Sequence, residues 1–468
     1  MLAGIRPAEL VGGYGLTTRG GNSGPRPSRT PLDYALRLFG DVRRGEGATV
    51  VLMTLNVFVV LVAYYVIKTV REPLILTTGG AELKAYAAAF QALVLMVAVP
   101  LYSYFASRTE TRKLIFGVTL FFVLCIEAFF VGYRAEIPML GFAFFVWVGI
   151  FNVAIIAQFW SFANDIYSLP TGERLLPLIA VGATVGAPVG AWIAGELFAA
   201  GLSPAVLMQV SAGLLLVHIL LYRMILSRPD GVPHEREADA QRERPILGGF
   251  ALVFRNRYLG LIAVLLVLLN VVNSTGEYLL STFAEDRANT ALALALEVDP
   301  DLNVGEFMGR FFGVFYGDFF FWVNIAGVIL QALIVSRIVK YLGIAGLLFA
   351  LPIVALGTYS WVAMGLGFAA FRGFKTAENA TDYSIMNTAK AMLWLPTSHD
   401  EKFQAKQAVD TFFVRMGDMI AAGLVYLGTH QLAFGSTEFA RVNVVIILAW
   451  IVVAVFVHRR YRQQAGHQ

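Results

Sequence analysis

Lys375, Asn379, Asp382 and Lys390 stand at intervals of four, three and eight residues within one stretch of the chain. At about 3.6 residues per turn these spacings gather all four on a narrow face of a helix, with Glu378 beside it. A face of that kind cannot rest against lipid. An ionised group in hydrocarbon costs at least a few kcal/mol unless it is paired, wetted or in use. Two ammonium groups next to Tyr383 and Asn387 suit an anionic, ring-bearing solute, the cations meeting the charge and the aromatic side chain the ring. The same residues could equally form an ion-pair lock between helices, and both uses stay open at this point.

Two other segments carry charge into apolar surroundings. Tyr64-Tyr65-Val-Ile-Lys68-Thr-Val-Arg71-Glu72 closes the first apolar run, with Lys68 and Glu72 spaced i, i+4 so that they can pair. Snorkelling of Lys68 and Arg71 to the interface is the structural alternative. Further on, Asp410, Arg415 and Asp418 repeat the theme, Arg415 and Asp418 being three residues apart. Asp165 at the end of the fourth run and Lys406 at the start of the eleventh complete the set of candidate coupling or gating residues, while Lys68, Arg71, Glu72, Lys375, Asn379, Asp382, Tyr383 and Lys390 form the candidate binding set. Glu127, Glu196, Glu277, Asp318 and His218 are scattered polar groups with nothing to single one out. No GxxxxGK[ST] loop, nucleophile elbow or His/Cys metal cluster occurs, so neither enzyme chemistry nor a bound cofactor is expected. Cys125 has no second cysteine to pair with.

The elements that must position these residues are membrane spans. The chain of 468 residues is 57% hydrophobic and only 15% charged, against about 25% charged in soluble domains, and its mean hydropathy is +0.67. Apolar runs long enough to cross a bilayer fall near 49–70, 84–106, 113–133, 138–164, 174–200, 203–226, 258–283, 314–339, 342–363, 372–394, 405–430 and 438–458. Basic breaks (Arg108, Arg112 and Lys113; Arg228 to Arg257; Arg337 and Lys340; Lys402 and Lys406; Arg459 to Arg462) alternate with an acidic loop at 284–313. A twelve-span chain with both termini in the cytoplasm puts every basic break on one side. The expected organisation is an N-terminal tail over 1–48 with a short interfacial helix from Leu32, Leu36 and Phe39, a six-helix bundle over 49–226, a cytoplasmic linker over 227–257, a second six-helix bundle over 258–458, and a tail over 459–468. Two six-helix halves joined by a basic linker is an all-α, major-facilitator-like layout, in which a solute site lies near the midplane between halves. Gly182, Gly186, Gly190 and Gly195 give the fifth span a small-residue face for close packing.

Three segments resemble nucleotide transporters of the ATP/ADP translocase type, relatives of the major facilitator superfamily found in plastids and intracellular bacteria. They are Lys68-Thr-Val-Arg-Glu-Pro-Leu-Ile-Leu-Thr-Thr-Gly-Gly-Ala-Glu82, Phe159-Trp160-Ser-Phe-Ala-Asn164-Asp165, and Asp382-Tyr383-Ser384 through Lys390, Pro396 and Lys406-Gln-Ala-Val-Asp410. The chain departs from the family's pattern at Asp382, Ala391 and Gln404, which stand where that pattern has Lys, Glu and Lys. The resemblance implies nucleotide exchange through an alternating-access carrier in a bacterial inner membrane, with Arg71, Glu72, Asp165, Lys390, Lys406 and Asp410 among the functional charges. The partners expected are a small anionic solute and the bilayer, with no nucleic acid; a monomer is compatible with everything in the sequence. A proton-coupled carrier of an unrelated solute and a non-transporting scaffold or lipid-handling protein are the alternatives.

Overall fold

The computed structural model describes residues 31, 36, 38, 40–228, 246–365, 368–398 and 401–465. Most of the N-terminal tail before residue 40, with Leu32 and Phe39 of the interfacial helix expected from Leu32, Leu36 and Phe39, lies outside these residues, as does most of the linker. Every regular element among the described residues is helical. In chain order they are α1 (Gly47–Arg108), α2 (Thr111–Arg134), α3 (Leu140–Ile166), α4 (Leu169–Ala199), α5 (Pro204–Leu226), α6 (Ile246–Arg255), α7 (Arg257–Val298), α8 (Val304–Ile329), α9 (Ser336–Ala363), α10 (Phe368–Thr381), α11 (Asn387–Leu393), α12 (Lys406–Ala408), α13 (Val414–His430) and α14 (Ser436–Ala465).

Among the described residues, eight helical stretches are long and apolar enough to cross a membrane. Two of them, Gly47–Ala106 and Val304–Ala363, are 60 residues long, about 90 Å of helix against a hydrocarbon core of about 30 Å. Each turns back on a glycine in a conformation that side chains resist: Gly80 has φ +72° and Gly343 φ +59°. Two further stretches, α10–α11 and 401–430, are long enough but carry too many charges to read as apolar. The chain is a multi-pass, all-helical membrane protein consistent with twelve passes.

Helix boundaries differ from the sequence reading at two places that matter. The first limb of α1 does not end near residue 70; it continues through Pro73 to Gly79. The run Pro73-Leu-Ile-Leu-Thr77 is apolar and offers no break, so Lys68, Arg71 and Glu72 lie inside a helix and away from its end. The seventh span likewise runs on to Val298 and α8 begins at Val304, so the acidic segment expected as a loop is helical but for 299–303. Asn256 sets where α7 begins, its side chain accepting the Tyr258 N–H at 2.9 Å as an N-cap.

The small-residue face of α4 packs along α1 as its spacing requires. A Cβ placed on Gly182 would lie 2.2 Å from the Thr54 carbonyl oxygen, on Gly186 2.7 Å from that of Phe58, and on Gly190 2.7 Å from that of Val62. One turn of α4 is thus seated on each turn of α1. At the far end a Cβ on Gly317 of α8 would lie 2.5 Å from the Gly195 Cα, joining α4 to α8. Beside it Arg310 donates to the Ala199 carbonyl at 2.5 Å, and His430 of α13 stands 2.6 Å from Glu82 of α1. Helices before residue 228 otherwise pack chiefly on one another, as do those after residue 246.

Backbone contact this close makes a size prediction. Gly186→Leu should lower the thermal midpoint of the purified protein steeply, because overpacking against a main chain costs at least about 1–3 kcal/mol. Gly213→Leu, with nothing within 4 Å of its Cβ, should leave it nearly unchanged. Equal midpoints for the two variants would contradict this packing.

Candidate functional site

Helical spacing on α1 sets Tyr64, Lys68, Arg71 and Glu72 on one side, and the second limb returns Lys84 to the same level. From α7 come Asn273, Ser274 and Glu277, from α10 Lys375, Glu378 and Asn379, and from the turn after α10 Tyr383. These side chains surround a cavity of about 240 Å³ lined by both groups of helices, with Lys68, Arg71 and Lys84 on one side and Asn273, Glu277, Asn379, Tyr383 and Asp418 on the other. Phe145 and Phe320 complete its aromatic wall.

Around the cavity, buried charges form a continuous ladder. Glu72, wholly buried, accepts from Arg71 Nε at 3.0 Å and faces Lys84 Nζ at 2.7 Å. Lys84 also donates to Ser281 Oγ at 2.9 Å and approaches Tyr316 Oη at 3.4 Å. Glu277 lies 3.9 Å from Lys84 and 3.9 Å from Lys375, and accepts from Asn379 Nδ2 at 3.0 Å. Lys375, with no exposed surface, donates to Glu378 Oε1 at 3.0 Å and Asn273 Oδ1 at 3.2 Å. The Tyr359 hydroxyl donates to Glu378 at 3.1 Å. Such pairs satisfy one another in low dielectric and are costly to break singly.

Lys68 stands apart from this ladder. It is 8% exposed, lines the cavity, and makes no hydrogen bond or ion pair with another described residue. Its ammonium instead sits over rings, 4.3 Å from the centroid of Phe320, 5.0 Å from Tyr65 and 5.9 Å from Tyr383. Aromatic faces return about 0.5–2 kcal/mol for a cation, less than the few kcal/mol that an ammonium loses on leaving water. The position therefore has a deficit that an anion in the cavity would remove. Asn379 Oδ1, buried and without a donor, is a second open valence on a residue of the wall.

The residues read from sequence divide accordingly. Lys68, Arg71, Asn379 and Tyr383 line the cavity together with Asp418, which accepts from Ser274 Oγ at 2.6 Å and pairs with Arg415 at 3.7 Å. Glu72 and Lys375 lie behind the wall as the buried partners just described. Asp382 and Lys390 pair with each other at 3.1 Å, off the cavity. The four-residue stripe from Lys375 to Lys390 is split by a π-helical turn over Asp382–Met386, which adds a residue to one turn and rotates the helix beyond it by about 100°. Asp165 accepts from Thr111 Oγ1 at 2.8 Å, while Lys406 and Asp410 are exposed on the segment before α13; none of the three reaches the cavity. Lys84 is the functional-site residue that the sequence reading passes over. A second span opening at residue 84 would leave it at the interface, whereas the turn at Gly79–Gly80 carries it a turn inward. Its signal is the one that marks the others, a lone ionisable group inside an apolar helix.

No family model matches the chain. Among solved structures, the nucleoside transporter NupG superposes with a TM-score of 0.61 at 12% identity, over 88% of this chain and 98% of that one. A POT family transporter in complex with 5-aminolevulinic acid gives 0.61 at 11% identity, over 89% and 96%. The fold is that of the major-facilitator transporters. Within that fold, sequence similarity points more narrowly. The chain is 22% identical over 503 residues to ADP,ATP carrier protein 1 of Rickettsia conorii, covering 92% of this chain and 97% of that protein. It is 21% identical over 360 residues to ADP,ATP carrier protein 1 of Chlamydia pneumoniae, covering 67% and 66%. These relatives and structural neighbours are carriers and transporters, not enzymes.

The ladder predicts a specific pattern of stability. Lys375→Met, which strands Glu378, should cost about 3–5 kcal/mol, read as a large loss in unfolding midpoint. Adding Glu378→Gln should restore much of it. Additive losses would show that the two side chains are not coupled.

Proposed function

We propose that this chain is an alternating-access carrier that exchanges a nucleotide or a closely related phosphorylated anion. The observation that carries the reading is Lys68, a buried ammonium with no direct ion pair or hydrogen bond to a described residue, set among aromatic rings on a cavity that both groups of helices line. Phosphate oxygens would supply the missing charge, and Arg71, engaged by Glu72 on one side only, is placed to join it. Tyr383 and Tyr64 offer ring faces for a base, and the free acceptor of Asn379 suits an exocyclic amine or a ribose hydroxyl. The sequence similarity to proteins named ADP,ATP carriers supports the same cargo class.

In this reading the helices over 49–226 and 258–458 are two halves that rock about the cavity, with 227–257 as a cytoplasmic linker. In the same reading both termini are cytoplasmic, which the basic breaks support, and the membrane is a bacterial inner membrane, which the bacterial source of the similar carriers supports. Contacts of Gly195 with Gly317, Arg310 with Ala199 and His430 with Glu82 then form the outer closure. At about 240 Å³ the cavity is smaller than the roughly 300–1,000 Å³ of sites that enclose a drug-sized ligand. It suits the charged end of a nucleotide, and admitting the whole molecule requires the halves to move apart. Asp382, which stands where the family pattern has Lys, is off the cavity and paired with Lys390.

Proteoliposomes loaded with ADP should take up labelled ATP or ADP, and empty vesicles should not. Lys68→Ala should lower the exchange rate about ten- to a hundredfold, the scale of one charge-assisted hydrogen bond, with thermal stability maintained or raised. Absence of counter-exchange with every nucleotide tried would overturn the proposal.

A further inference from the structure

Two hollows among the described residues rival the central cavity in size. They lie at the arginine-rich end, where α6, α7 and α14 meet. One, of about 840 Å³, is lined by Arg255, Arg257, Tyr258 and Arg460. The other, of about 480 Å³, shares Arg257 and Arg460 with the first and continues along Leu261, Val264 and Phe456. Arg459 stands on its rim.

Helical periodicity explains why the two form one channel. On α7, Arg257, Leu261 and Val264 are spaced i, i+4 and i+7, so they descend one face by about 10 Å. On α14, Phe456 lies one turn below Arg460 on the facing side. Cations therefore occupy the mouth and aliphatic and aromatic groups the floor, in the order of a bilayer's own headgroup and acyl layers. Val264 and Phe456 are 47% and 49% exposed, and Phe254 next to Arg255 is 78% exposed, as expected of surfaces that meet lipid. Arg255, Arg257 and Arg459 make no ion pair with another described residue, and Arg460 has only a 3.4 Å contact to Gln463. The carboxylate lining the mouth, Glu401, is already engaged, accepting from Asn256 Nδ2 at 2.7 Å and from the Ser398 N–H at 3.0 Å.

We infer that this channel is a binding site for an anionic phospholipid, its phosphate between Arg257 and Arg460 and an acyl chain along Leu261, Val264 and Phe456. A soluble phosphate would use the mouth alone; the apolar floor sharing the same two arginines favours the lipid. The site also touches the transport helices. Phe250 and Phe254 of α6 pack on Phe413, at 6.0 and 6.1 Å between ring centroids, and a Cβ on Gly249 would lie 2.3 Å from the Gln404 carbonyl. Arg255 at the end of α6 lines the same mouth, so a lipid there lies beside the helix that packs on the start of the one carrying Asp418.

The test uses the full-length protein, delipidated in detergent, titrated with dioleoylphosphatidylglycerol, dioleoylphosphatidylcholine or glycerol 3-phosphate and read by native mass spectrometry and thermal shift. Phosphatidylglycerol should bind and stabilise more than phosphatidylcholine, and glycerol 3-phosphate should do neither. Arg257→Gln/Arg460→Gln should weaken phosphatidylglycerol binding roughly thirtyfold, the order expected for two cations near an anionic surface. Val264→Trp, which keeps every arginine and fills the apolar floor, should weaken it as well. Unchanged phosphatidylglycerol binding in either variant, or protection by glycerol 3-phosphate equal to that by the lipid, would overturn the assignment.

Discussion

An ionised side chain inside a bilayer must find a counter-charge, water or a ligand, and this chain places eight such side chains around one small cavity. Seven of them, Arg71, Glu72, Lys84, Glu277, Lys375, Glu378 and Asp418, answer the requirement with one another, with hydroxyls or with Arg415. Lys68 does not. The contrast gives the cavity its chemistry: a stiff, self-neutralising wall with one cation left over and aromatic rings about it.

The packing of the helices serves that arrangement. Glycines at 182, 186 and 190 let α4 lie against the carbonyls of α1, which fixes the helix that carries Lys68, Arg71 and Glu72. The turn at Gly79–Gly80 then returns the chain so that Lys84 meets Glu72 at 2.7 Å. Charges from α1 and from α7 and α10 are joined through Glu277, which stands 3.9 Å from a lysine on either side. A carboxylate shared at that distance can stay with either partner when the two groups of helices separate, so the ladder tolerates movement where a tighter pair would resist it.

Much of this was legible in the residues alone. Apolar runs, basic breaks and the small-residue face of the fifth span are periodic signals, and the helices and the α4–α1 contact derive from them. The polarity of Lys68, Arg71, Asn379 and Tyr383 inside such runs names them as candidates, with snorkelling and an ion-pair lock as the alternatives. The features that escaped depended on local geometry that composition does not encode. Asp382–Met386 winds as a π turn, so Lys390 leaves the face that simple helical spacing assigns it. The first helix passes through Pro73 without ending, which moves Lys84 from an expected edge into the centre. The separation of Lys375 from the cavity depends on Glu378 and Tyr359 being close enough to take its charge, a three-body arrangement that no spacing rule contains.

On the proposed function, the Lys68 ammonium, which lacks a direct ion pair, anchors the phosphate of a nucleotide. This anchoring is tested most directly by calorimetric binding of ADP and of adenosine to the purified protein and to Lys68→Gln. The variant should lose at least about tenfold in affinity for ADP, about 1.4 kcal/mol, while its affinity for adenosine stays unchanged. Equal ADP affinity in the two proteins, or parallel losses for ADP and adenosine, would contradict it.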